Sequence, residues 1–136
     1  MQRVGNSRRN RKAARNTNPL KRLRDSRVAA HLHLAEAYVS LAYCVPPLDF
    51  FGKGRGAKHV CEGRQLLMYL AHVEFGLSLA DVARRYKKDR STAHYACRRI
   101  EDRRDDPCFD GMVSEIETLV TLKDDPVFSF GKKECA

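Results

Sequence analysis

One stretch limits the possible folds more than any other: Ser78–Arg104, SLADVARRYKKDRSTAHYACRRIEDRR. It reads as two helices separated by a very short turn. Ser78 is placed to cap the first helix, with Asp81 three residues later to close a capping box. Leu79, Val82, Ala83 and Tyr86 give that helix one apolar side. Lys87 and Lys88 resist burial without partners, so they mark the turn. Asp89 is expected to cap the second helix, its carboxylate accepting from the free N–H groups of the first turn. Ala93, Ala96, Cys97 and Ile100 then recur at helical spacing and face inward. That leaves Ser91, Tyr95 and Arg98 on the opposite side and His94 on the flank. A short helix followed by a longer one that presents polar and basic groups is a helix-turn-helix pattern, suited to a DNA major groove.

Charge is distributed in the same sense. The chain of 136 residues has a net charge of +9. Residues 1–27 hold 10 Lys/Arg against Asp25 alone, and residues 53–104 hold 13 bases against 6 acids. Residues 105–136 reverse the balance, with 3 bases and 8 acids. Two positive segments followed by a negative one fit a polyanion partner better than evenly spread solubilising charge.

The remaining chain reads as helices with no strand pattern. Residues 1–27 are poor in apolar groups and rich in Arg, Lys and Asn, so they are expected to be a disordered basic arm. VAAHLHLAEAYVSLAY, residues 28–43, lacks Gly and Pro and predicts a helix that is apolar on most sides and central to the core. His31 and His33 fall on different sides of it and are expected to be ordinary core-edge or surface residues. Pro46 and Pro47 stop that helix. Leu48–Phe51 predicts a turn of helix whose aromatic residues plug the core, and Gly52–Gly56 a flexible basic loop. The next helix spans Val60–Phe75, with Gly63 pushing its regular start to Arg64. Leu66, Leu67, Leu70 and Val73 form its buried stripe, and Gly76 suits the position past its end. Asp105-Asp106-Pro107 ends the recognition helix. A last amphipathic helix, Phe109–Leu122, buries Phe109, Met112, Val113, Ile116, Leu119 and Val120 and leaves Glu115 and Glu117 outside. The expected architecture is therefore all-α: a compact domain of about five helices over 28–122, with a basic arm at 1–27 and a tail at 123–136.

Several chemistries are disfavoured. The five cysteines, Cys44, Cys61, Cys97, Cys108 and Cys135, show no zinc-finger spacing and no secretory context for disulfides. Reduced thiols are expected, with Cys61 and Cys97 on core faces. No paired carboxylates, nucleophile–base pair or metal cluster stands out. Asp105-Asp106 and Asp124-Asp125 sit beside prolines, where turn chemistry accounts for them. No enzyme activity, metal or cofactor is expected. No long uncharged apolar run predicts a membrane span.

From Tyr38 to Leu122 the chain resembles the C-terminal DNA-binding domain of the bacterial replication initiator DnaA. KDRSTAHYACRRIE, Lys88–Glu101, is similar to that family's RDHTTVLHACRKIE signature. The order of a helix with an aromatic end, an L-D-F-F turn, a basic loop, an Arg-Gln helix start and S-L-x-[DE] also agrees. The resemblance implies that Asp89, Arg90, Ser91 and Thr92 stand where the family contacts bases and phosphates, with Tyr95 at a later reading position. It implies a backbone contact for Arg64 beside Gln65, and a minor-groove arginine in the basic loop. Arg55 is the best match for that arginine, with Lys58 as a rival. Lys53, Ser78, Lys87, Lys88, His94 and Arg98 complete the expected DNA-binding set. Arg90 and Tyr95 replace signature histidines, and Lys87-Lys88 replace a longer Gly-Gly-Arg turn, so the family's target sequence does not carry over. No Walker motif occurs in the chain, so the expectation is a free-standing DNA-binding domain without ATP. The predicted function is sequence-specific binding of double-stranded DNA in the bacterial cytoplasm, at the nucleoid, as a transcription regulator or a modulator of replication initiation. The alternatives are a non-specific nucleoid-associated protein and a module that docks onto replication proteins. The sequence leaves the oligomeric state open.

Overall fold

The central helix is the one with apolar residues almost all round. The structure, a computed structural model, describes residues 18–54 and 56–123. Among these, five α-helices and one 3-10 turn account for the fold, and no strand is present. The helices are α1 (Pro19–Tyr43), α2 (Lys58–Val73), α3 (Leu79–Tyr86), α4 (Arg90–Arg103) and α5 (Pro107–Val120), with the 3-10 turn at Pro47–Phe51 between α1 and α2.

Ten of the sixteen residues of α2 are buried, including Leu66, Leu67 and Leu70 with no exposure. Each fully buried leucine contributes about 1.5–3 kcal/mol relative to exposure. This helix, not the one before it, is the centre, and α1, α3, α4 and the 3-10 turn pack around it. It begins at Lys58 and runs through Gly63 without a break. Gly63 is a close-approach residue: a β-carbon there would stand 2.7 Å from Cε1 of Phe50. Phe50 is fully buried and is the plug expected of the 3-10 turn. Val73 is half exposed rather than buried, because the helix ends there and the chain turns at Gly76, with φ +72°.

Helix α1 departs from expectation twice. It starts nine residues earlier than residue 28, with Asn18 accepting from the Leu20 N–H and Pro19 in the first turn. The segment buries little, so the helix extends by cheap propagation from its packed half rather than by burial. Residues 1–17 of the expected arm lie outside the described residues. Nor is α1 buried on most sides: only Leu32, Ala35, Glu36 and Val39 are buried. It ends at Cys44, which adopts the left-handed conformation two residues before Pro46.

Helix α5 is capped by Asp106, which accepts from the Cys108 N–H at 3.1 Å, and Pro107 occupies its first turn. His31 of α1 donates through Nδ1 to the Val120 carbonyl at 2.8 Å and ties the last helix down. Leu119, expected in its core stripe, is half exposed, and Glu117 is half-buried on Arg104. No helix among the described residues is long and apolar enough to cross a membrane.

Candidate nucleic-acid interface

Helices α3 and α4 form the helix-turn-helix expected from the sequence, with two differences at the caps. Ser78 accepts from the Asp81 N–H at 3.1 Å, but the Asp81 carboxylate turns to Arg84 at 2.9 Å instead of closing the box. Asp89 has N-cap backbone geometry, yet its side chain makes no capping hydrogen bond. The first-turn N–H groups of α4 therefore lack a carboxylate cap and stand at the positive end of the helix dipole, where a phosphate is favoured. Lys87 makes the turn in the left-handed conformation, φ 56° and ψ 45°. The Lys88 N–H closes it on the Ala83 carbonyl at 2.9 Å.

Helix α4 buries Ala93, Ala96, Cys97 and Ile100 against the core, as the periodicity predicts. Burial pushes the Cys97 thiol up to about 11, so it behaves as a small apolar group. Arg90, Ser91, Thr92, His94, Tyr95 and Arg98 are exposed on the other side. Lys53 in the loop and Lys58 at the start of α2 are exposed as well, while Arg55 lies outside the described residues.

Two expected contacts face inward to the loop. Arg64 is only 4% exposed. Its Nε donates to the Phe50 carbonyl at 2.8 Å, and its terminal nitrogens donate to the backbone carbonyls of Asp49 at 3.2 Å and Gly54 at 3.4 Å. The Lys88 ammonium donates to the carbonyls of Gly52 and Gly54. Two cations from separate elements thus hold one loop by its backbone. Burial lowers the pKa of both groups, and for Lys88 the Arg64 charge lowers it further.

Arg64, Gln65, Lys88, Thr92 and Tyr95 come together, with Cys61 and Met68, around a pocket of about 430 Å³ between α2 and the start of α4. Gln65 is 8% exposed, and its Oε1 has no hydrogen-bond partner. A neighbouring recess of about 310 Å³ shares Cys61 and Gln65 and adds Gly56, Lys58, Glu62 and Arg99. Loop, α2 and α4 therefore meet on one continuous surface. Ser78 sits apart in role: its hydroxyl is used at the cap of α3.

Residues 35–100, from α1 through α4, match the family described as bacterial DnaA protein helix-turn-helix. This segment is a DnaA-type helix-turn-helix. No curated protein matches the chain. A DnaA-type helix-turn-helix is a DNA-binding module and not a catalytic one. The match stops at Ile100, so α5 lies beyond it.

Within the DnaA-type domain, sequence reading missed Arg99. It is exposed, makes no hydrogen bond or ion pair among the described residues, and lines the recess with Lys58. Its spacing contained the signal: Thr92, Tyr95 and Arg99 follow i, i+3, i+7 and share one helix face. Arg85, Arg103 and Arg104, equally basic on paper, serve the interior instead. Arg85 pairs with Glu36, Arg103 lies 4.0 Å from the centre of the Phe109 ring, and Arg104 joins Asp110, Glu117 and the Tyr69 hydroxyl.

Proposed function

We propose that the chain binds a specific sequence of double-stranded DNA, with α4 in the major groove and the loop around Lys53–Lys58 against the backbone and minor groove. One observation carries this reading. The helix that buries Ala93, Ala96, Cys97 and Ile100 holds Arg90, Ser91, Tyr95 and Arg98 out, exposed and without intramolecular partners among the described residues. A rigid helix with unused donors on a positive surface is the requirement for reading base edges.

The roles divide by position. Arg90, Ser91 and Tyr95 read bases. Asp89, lacking a capping bond, is free to accept from a cytosine amino group. Lys53, Lys58, Arg98 and Arg99 meet phosphates and set register. Arg64 and Lys88 act chiefly by holding the loop at a fixed distance from α4, and Gln65 lines the floor between them. Arg55, which the resemblance matches to the family's minor-groove arginine, is assigned to the minor groove. The biological role is transcription regulation or modulation of replication initiation, in the bacterial cytoplasm.

Selection from a random duplex library tests the proposal. An enriched motif of a few base pairs is expected, with one position that loses its preference in Arg90→Ala. Binding without enrichment would instead identify a non-specific nucleoid protein.

A further inference from the structure

Helix α1 carries a second apolar face that the fold does not use. Leu20, Arg27, Leu34 and Leu41 repeat every seven residues, and Leu23, Ala30 and Ala37 repeat every seven between them. All seven are exposed. The four leucines are 43, 40, 76 and 48% exposed at positions 20, 34, 41 and 23, about two whole leucines of apolar surface left in water. The buried residues Leu32, Ala35, Glu36 and Val39 lie on the other side. Seven-residue spacing held over three repeats, apolar at every position but Arg27, is the pattern of a coiled-coil seam and not the face of a helix packed on a single core.

We propose that this seam binds the same seam of a second copy of the chain, with the two α1 helices antiparallel. Charge fixes the direction. Residues 19–27 hold Lys21, Arg22, Arg24 and Arg27 against Asp25, whereas residues 28–43 hold no Lys or Arg. A parallel pair brings two basic ends to ~8–10 Å, where salt screens them incompletely. An antiparallel pair sets each basic end beside the partner's carboxyl-terminal helix end, where the dipole is negative. Size agrees in one register, centred between Ala30 and Leu34. There Leu23 faces Leu41 of the partner subunit, Ala30 faces Leu34 of the partner subunit, and the Arg27 stem crosses Ala37 of the partner subunit. Large residues meet small ones at the middle, so the helices approach closely. One helix face is smaller than the ~800 Å² per partner of a standard interface, so the dimer is weak and concentration-dependent.

Sedimentation equilibrium of the full chain without DNA tests this independently of any DNA reading. A monomer–dimer equilibrium is expected, with Leu34→Glu and Leu41→Glu each lowering association roughly tenfold or more by placing a charge in the seam. Circular dichroism should show both variants as helical as the parent. Direction is read in a chain with Cys44, Cys61, Cys108 and Cys135 replaced by Ser. Leu23→Cys with Leu41→Cys should oxidise to a covalent dimer. Leu23→Cys alone should not, because antiparallel copies of residue 23 stand ~27 Å apart. A covalent dimer from Leu23→Cys alone overturns the direction. A chain monomeric at its highest soluble concentration, or a dimer indifferent to both glutamates, overturns the seam. If removing residues 124–136 then restores dimerisation, the seam belongs to the chain's own tail in the intact protein, and the proposal fails for that protein.

Discussion

Arg85 and Arg90 are five residues apart in one motif, yet they do opposite things. Arg85 reaches across to α1 and donates through Nε and a terminal nitrogen to Glu36, which is 3% exposed. Its guanidinium also lies 5.8 Å from the Phe51 ring centre and 5.9 Å from that of Tyr86, two rings stacked at 5.5 Å. Burial alone would weaken its charge, but Glu36 outweighs it, and the Arg85 pKa sits above the usual arginine value. Arg90 has no such partner and stands exposed in the first turn of α4. The basic residues of the helix-turn-helix thus split into a set that fixes the scaffold and a set left for DNA. Net charge counts both sets alike, and only the first contributes to folding.

The largest effect that divides them is on stability. Arg85→Ala leaves the Glu36 carboxylate buried without its partner, which costs about 3–5 kcal/mol. Urea denaturation should show it, and Glu36→Met with Arg85→Met should recover much of the loss, since an apolar pair removes both charges. An Arg85→Ala variant as stable as the parent would place Glu36 in water and merge the two sets. A second scaffold test is Gly63→Ala. The added methyl meets Phe50 at 2.7 Å, so about 1–3 kcal/mol of overpacking is expected by the same measurement.

On the reading side the effect should appear only in binding. Arg90→Ala is expected to leave the denaturation midpoint unchanged and to lose about 1–3 kcal/mol of discrimination at one base pair. Lys53→Ala should weaken all sequences alike and reduce the slope of affinity against salt by about one counterion. Equal loss of specificity in both variants, measured by competition with mutated duplexes, would show that reading and positioning are not separate.

Periodicity made most of the fold legible. Ala93, Ala96, Cys97 and Ile100 are inward as their spacing requires, and Phe50 plugs the core. The errors came where tertiary geometry overrides local rules. Gly63 reads as a helix boundary in sequence because glycine weakens helices, but its missing β-carbon is what lets α2 and Phe50 touch. Residues 28–43 looked central because they are apolar on most sides, and an apolar face left exposed has the same sequence signature as one buried in the core. In the interface, the outward face of α4 was legible from residue type. The inward pull of Arg64 and Lys88 onto loop carbonyls was not, because nothing in sequence says which carbonyls a loop will present.

The smallest effect concerns Lys87, which belongs to neither set. It occupies the left-handed position that ends α3, with φ 56°, where a β-carbon crowds the following carbonyl. Its own N–H is directed to the Ala83 and Arg84 carbonyls, so the backbone shape is held whatever the side chain. The side chain is exposed. Lys87→Gly should therefore stabilise the domain by about 1 kcal/mol or slightly less, the gain in φ being partly offset by glycine's greater freedom when unfolded. If Lys87 also meets a phosphate, the same variant should bind DNA more weakly and with a shallower salt slope. A variant that is more stable yet a poorer binder would show that this turn keeps a strained lysine for its charge. A variant more stable and equal in binding would assign the turn wholly to the scaffold.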